Sequence, residues 1–183
     1  APTAWAITEV PVPTPGSDPE VITMGPDGDL WFTEFGADKI GRVTRGGVFT
    51  EYVLPLGSGP LGIAAGPDGN LWFTEAGRDR IGRITPAGVV TEFLLESGRT
   101  PARIAAGPDG ALWFTEFDGN RIGRLNPSAG DAAAIQASLT EFAVPGGGQP
   151  FSITAGPDGR LWFTEAGSNE IGAITTDGVV AEF

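Results

Sequence analysis

Four glutamates end the same pentapeptide, Leu-Trp-Phe-Thr-Glu, at Glu34, Glu75, Glu116 and Glu165. Carboxylates gathered by a repeat are able to hold a hard cation, which takes oxygen ligands. The plainer expectation is an architectural role, with Arg42, Arg83 or Arg124 on the next strand as the cationic partner. The last unit has Ala173 at that place, which leaves Glu165 without it. Asp27, Asp68, Asp109 and Asp158 lie in Gly-Pro-Asp-Gly and lack the Asp-x-Asp-x-Asp spacing of a calcium loop, so they are expected to shape turns. Serines such as Ser58 and Ser152 have no histidine to activate them, because the chain contains none. No catalytic residue and no metal site is assigned from these residues.

The positions that differ between units fall in two sets of loops. One set is Thr14–Pro19, Gly57–Pro60, Ser97–Pro101 and Gly146–Pro150; the other is Phe35–Asp38, Ala76–Asp79, Phe117–Asn120 and Ala166–Asn169. Within or just beyond them, Phe35, Arg78, Arg99, Arg103 and Phe117 are the side chains best equipped to grip a ligand through ring faces and guanidinium donors.

The elements that must position these residues follow from the repetition. Gly-Pro-Asp-Gly recurs at Gly25, Gly66, Gly107 and Gly156, in steps of 41, 41 and 49 residues, each time one residue ahead of Leu-Trp-Phe-Thr-Glu. An Ile-Gly pair and a Thr/Ala-Glu-aromatic triplet complete each unit, the triplets closing at Tyr52, Phe93, Phe142 and Phe183. Proline presets the turn, and the second glycine takes positive φ, giving a tight hairpin. Leu-Trp-Phe is apolar on both faces, as a sheet sandwiched between two other sheets requires. Several short strands per unit at this period read as blades of a propeller rather than helical pairs. The expected fold is all-β, a β-propeller of four-stranded antiparallel blades with four blade repeats in residues 1–183. The blades fall at about 19–55, 60–96, 101–145 and 150–183, with a surplus outer strand at Ile7–Pro13. The expansion of the third unit around Ser128–Ser138 reads as a surface insertion of little energetic weight, forming one helical turn or a long outer hairpin.

Four blades splayed for a larger ring leave both end faces bare, and each exposes tryptophan, phenylalanine and isoleucine. Head-to-tail pairing of two chains into an eight-bladed ring covers both, so a homo-oligomer is expected. The net charge of −12 argues against nucleic acid and anionic membranes as partners. With no cysteine, neither disulfides nor thiolate metal sites form. The Ala-Pro-Thr-Ala start suits a chain relieved of a signal peptide, and the composition fits a secreted or a cytoplasmic bacterial protein alike.

Gly-Pro-Asp-Gly-Asn-Leu-Trp-Phe-Thr-Glu, followed by Arg-Ile-Gly-Arg-Ile-Thr-Pro-x-Gly-Val-Val-Thr-Glu-Phe, resembles the repeat of the virginiamycin B lyase, or streptogramin lyase, family from Ile7 to Phe183. The resemblance implies a seven-bladed propeller, of which this chain matches about the first four blades. It also implies that the variable loops line the top face. The family linearises type B streptogramins by elimination at the ester linkage, aided by magnesium, using two histidines and a glutamate on a late blade. None of these carries over to a chain without histidine. The expectation is a non-catalytic propeller scaffold or binding module, self-assembling through its blade faces, with no cofactor and with magnesium implied only for a lyase-like activity. The alternative is a fragment of a lyase-like enzyme, natural or engineered. The sequence names no ligand.

Overall fold

A computed structural model describes residues 9–183. The repeat spacing becomes four antiparallel four-stranded sheets, each built from consecutive strands. Blade 1 comprises β1 (Pro19–Met24), β2 (Leu30–Glu34), β3 (Lys39–Val43) and β4 (Phe49–Val53). Blade 2 comprises β5 (Pro60–Ala65), β6 (Leu71–Glu75), β7 (Arg80–Ile84) and β8 (Val90–Leu94). Blade 3 comprises β9 (Pro101–Ala106), β10 (Leu112–Glu116), β11 (Arg121–Leu125) and β12 (Thr140–Ala143), with a helix α1 (Ala132–Ala137) before the last strand. Blade 4 comprises β13 (Pro150–Ala155), β14 (Leu161–Glu165), β15 (Glu170–Ile174) and β16 (Val180–Glu182). The inner strands β1, β5, β9 and β13 pack side by side in chain order. The sheets form an open arc of a β-propeller, and no strand pairing closes it among the described residues.

Strand alternation sends each blade's tryptophan toward the following blade. Trp31, Ile40 and Leu54 meet Ile63, Leu71, Phe73 and Ile84 of blade 2. The equivalent layers join blade 2 to blade 3 and blade 3 to blade 4. Within a blade the tryptophan stacks on the closing aromatic of the outer strand, as Trp72 does on Phe93 at 5.2 Å. Its indole N–H donates to the turn aspartate, 3.0 Å from Trp72 to Asp68 Oδ1. The aspartate therefore anchors the tryptophan as well as shaping the turn. The Ile-Gly glycine of β7 lies directly under the Phe73 ring: a Cβ on Gly82 would sit 2.1 Å from Phe73 Cζ.

The ends of the arc lack these layers. Ile22 is 59% exposed, whereas its counterpart Ile63 is 4% exposed. At the other end Ile171 is 43% exposed, whereas Ile40, Ile81 and Ile122 are fully buried.

Three expectations need correction or limits. Arg42 does not pair with Glu34: it binds Asp29 at 2.6 Å and Asp27 at 3.1 Å, with its guanidinium over the Trp31 ring. Arg124 likewise takes Asp109, and Arg83 lies over Trp72. In blade 4 the loss of arginine at Ala173 is offset from the turn, where Arg160 binds Asp158 at 2.7 Å and covers Trp162. A strand carries its side chains to alternate faces, and the arginine shares the tryptophan's face, away from the glutamate. The insertion of the third unit is also more than a surface loop. Asp131 caps α1, Ile135 is fully buried in the layer between blades 2 and 3, and Gln136 binds both backbone groups of Leu94 at 2.8 and 2.9 Å. Finally, residues 9–13 of the expected outer strand form no strand, and residues 7 and 8 lie outside the described residues. Val10 and Val12 instead line an apolar pocket over the bare face of blade 1, with Ile22, Phe32, Val43 and Phe49.

Candidate functional site

Both variable loop sets meet at one edge of the arc, because β1 opens opposite the end of β2 at Pro19 and Glu34, and the other blades repeat that register. Asp38 shows how the sets join: its carboxylate accepts the backbone N–H groups of Gly57 and Gly59, both at 2.8 Å. Asp79 does the same for Gly98, Arg99 and Thr100. Asp38, Asp79, Asn120 and Asn169 all have positive φ, which Asp and Asn tolerate better than other side-chain-bearing residues.

On this edge the inner rim carries one cluster of unlike side chains. The Arg103 guanidinium lies over the Phe151 ring at 4.8 Å. Phe117 meets the same ring edge-on at 6.0 Å. From β9, Arg103 reaches past blade 2 to β1, where its Nη2 stands 3.5 Å from Glu20 Oε2. Burial draws the pKa of Arg103 below its ordinary value, and Glu20 opposes that drop. A planar cation on a ring, with a second ring beside it and a carboxylate in reach, is able to donate hydrogen bonds and stack on a ligand.

The structure thus brings two of the five sequence-derived residues, Arg103 and Phe117, to one place. Phe35 leans on Gly59, in the loop leading into blade 2. Arg78 pairs with Glu92 at 3.4 Å in its own blade. Arg99 is consumed by carboxylates: it contacts Glu96, stands 3.3 Å from Glu116 and binds Glu141 at 2.9 Å. Phe151 and Glu20 did not stand out in the sequence. The available signal was variation inside the repeat, since the residue after the strand-opening proline is Glu20, Leu61, Ala102 or Phe151.

Beneath the same loops lie the four repeat glutamates, all nearly inaccessible. The residue above each is serine in blades 1 and 2 (Ser17 and Ser58), Arg99 in blade 3 and Gly148 in blade 4. Burial pushes Glu75 up to about 7, with Ser58 opposing, and Glu116 up to about 8, with Glu141 adding to the shift and Arg99 opposing it. Glu75 and Glu116 therefore hold protons near neutrality.

The virginiamycin B lyase family model matches residues 2–183. The solved virginiamycin B lyase of Staphylococcus aureus, in selenomethionine form, is 47% identical with a TM-score of 0.90, covering 97% of this chain and 59% of its own. A streptogramin B lyase structure is 44% identical with a TM-score of 0.89, covering 97% of this chain and 58% of its own. A catalytically inactive S. aureus virginiamycin B lyase, solved with quinupristin, is 46% identical with a TM-score of 0.89, over 97% of this chain and 59% of that one. The chain therefore spans about three-fifths of the length of these relatives. A gluconolactonase from Xanthomonas campestris shares the fold alone, at 19% identity and TM-score 0.69, over 90% of this chain and 61% of that one. No curated protein matches.

Proposed function

The chain belongs to the virginiamycin B lyase family, and from that premise we propose that it is a non-catalytic, ligand-gripping arc of a streptogramin lyase-like propeller. The observation that carries this reading is Arg103 laid on Phe151, beside Phe117 and Glu20, on the inner rim. The guanidinium supplies donors for carbonyl oxygens, and the rings supply stacking area for an aromatic, peptide-like lactone. The catalytic groups that the family resemblance implies include two histidines, which this chain does not contain. These residues hold and orient the ligand, and proton transfer requires histidine-bearing blades from outside this chain, which a second copy does not supply.

The magnesium that the family resemblance implies does not fit this rim. The acid there is Glu20, which already faces Arg103, and one paired carboxylate is a poor donor set for a hard cation. No step is routed through magnesium.

Further blades complete the ring in this reading, and a second copy docked head to tail into eight blades is one form of it. Support comes from the two bare faces: one offers the Thr164 hydroxyl, and the other offers Glu20 in the register of Leu61, Ala102 and Phe151. Those three carbonyls accept the equivalent threonines of the preceding blades.

Titration with quinupristin, followed by tryptophan fluorescence and by product analysis with magnesium present, tests the reading. Saturable binding that Arg103→Ala weakens about tenfold, without turnover, is expected. Turnover above background overturns the non-catalytic role. Binding that is absent, or unchanged in Arg103→Ala, overturns the gripping role. A monomer mass by light scattering at micromolar concentration overturns self-assembly.

A further inference from the structure

Besides Ala173, blade 4 departs from the other three at a second cross-strand position, and this departure reverses a charge. The repeat glutamate stands opposite Lys39 in blade 1, Arg80 in blade 2 and Arg121 in blade 3, but opposite Glu170 in blade 4. Each basic side chain also reaches the outer-strand glutamate of its own blade. Lys39 Nζ is 2.7 Å from Glu51, Arg80 is 3.2 Å from Glu92, and Arg121 is 3.7 Å from Glu141. In three blades, then, a cation accompanies the buried carboxylate and the outer one.

In blade 4 the two corresponding acids are Glu165 and Glu182, and the third member of the group is Glu170. Oxygens from all three lie within 4.8 Å of one another. Glu165 is 2% exposed, its Oε2 accepts from Ser168 at 3.2 Å, and its Oε1 has no hydrogen-bond partner. Like charges directly across a strand pair destabilise it, and a buried carboxylate oxygen without a partner costs more. The buried oxygens of Glu34, Glu75 and Glu116 also lack hydrogen-bond partners, so what sets blade 4 apart is that an acid, rather than a basic side chain, stands across from its buried glutamate.

We propose that Glu165, Glu170 and Glu182 bind a calcium-sized divalent cation, which takes the place of the lysine or arginine of the other blades. Carboxylate oxygens are the ligands that a hard divalent cation selects. Three protein carboxylates suit Ca²⁺, which takes several such oxygens in flexible geometry, better than Mg²⁺, which demands near-ideal octahedral geometry and usually keeps several waters around one or two carboxylates. Gly148 leaves room on the other side, since a Cβ there would meet Glu165 Oε2 at 1.7 Å.

The test uses the parent chain, Glu170→Lys and Glu182→Gln. Thermal unfolding is followed with and without millimolar CaCl₂ at constant ionic strength, and Tb³⁺ luminescence sensitised by tryptophan is competed with Ca²⁺. The parent is expected to gain several degrees in Tm with Ca²⁺, less with Mg²⁺, and to show saturable Tb³⁺ emission. Glu170→Lys restores the ammonium of blade 1, so it is expected to raise the calcium-free Tm and abolish both responses. Glu182→Gln is expected to weaken Ca²⁺ about tenfold while the circular dichroism spectrum stays unchanged. A parent that ignores Ca²⁺ overturns the proposal. An equal response in Glu170→Lys also overturns it, because the effect would then be general screening of an acidic protein. An Mg²⁺ response as large as that to Ca²⁺ overturns the size assignment.

Discussion

The Thr74 hydroxyl donates to the carbonyl oxygen of Ala102 at 3.0 Å and accepts the Gly62 N–H at 2.8 Å, tying the inner strand of blade 2 to that of blade 3. Thr33 does the same toward Leu61, and Thr115 toward Phe151. Thr164 accepts from Ser152 at 3.1 Å and stands exposed on the last face. Replacing Thr74 by the near-isosteric valine is therefore expected to cost about 1–2 kcal/mol, since it strands a buried N–H and carbonyl. Thr164→Val is expected to change stability by less than about 0.5 kcal/mol. Urea denaturation of both variants checks the contrast, and equal losses would refute it.

Gly82 is expected to tolerate no side chain. Its Cβ would overlap the fully buried Phe73 ring, which neighbouring blades hold in place. Gly82→Ala should lose about 3 kcal/mol or more, and adding Phe73→Leu should recover part of it by vacating the overlap. A double-mutant cycle in urea measures the coupling.

Stability is expected to fall as pH rises through neutrality. Glu75 titrates at about 7 and Glu116 at about 8 in the folded chain, chiefly through burial, against an ordinary value of 4.5. A glutamate with a raised folded pKa contributes stability that is complete below its unfolded pKa and is lost as pH climbs through the folded one. Asp158, held at about 2 first by the Trp162 N–H, and Glu51, held down first by Lys39, act in the opposite sense but only under acidic conditions. Unfolding free energy should therefore drop from about pH 5.5 to about pH 8.5, and Glu116→Gln should flatten the slope. A slope that Glu116→Gln leaves unchanged would contradict this.

Helix α1 is expected to act as a clasp on blade 2. Gln136→Ala removes both bonds to the Leu94 backbone and uncovers the outer edge of β8. Hydrogen exchange at the Leu94 amide should accelerate markedly, with a stability loss of about 1 kcal/mol. Exchange no faster than in the parent would show that the clasp does not protect that edge.

Much of the architecture was legible because the information is local. Gly-Pro-Asp-Gly specifies a hairpin wherever it stands, and Leu-Trp-Phe-Thr-Glu is apolar on both faces only if sheets cover both sides. Four copies of this pattern dictate four blades, and the bare ends follow from the same logic. The insertion misled because its helix gains its weight from one buried residue, Ile135, and one glutamine on a neighbouring blade.

Which charge meets which is another matter. The sequence alone determined that each unit carries a glutamate and an aspartate at fixed spacing, and that the first three add an arginine that the last unit lacks. Only the tertiary structure decided that Arg42 turns to Asp27 and Asp29 on the tryptophan's face, leaving Glu34 to lie under a loop. Only the curvature of the arc brings Arg103 to Glu20, far away in the chain. Only strand register sets Glu165, Glu170 and Glu182 together where other blades place a cation. Ion pairing depends on a few ångströms between side chains. Those distances come from pleat, register and blade splay rather than from spacing along the chain.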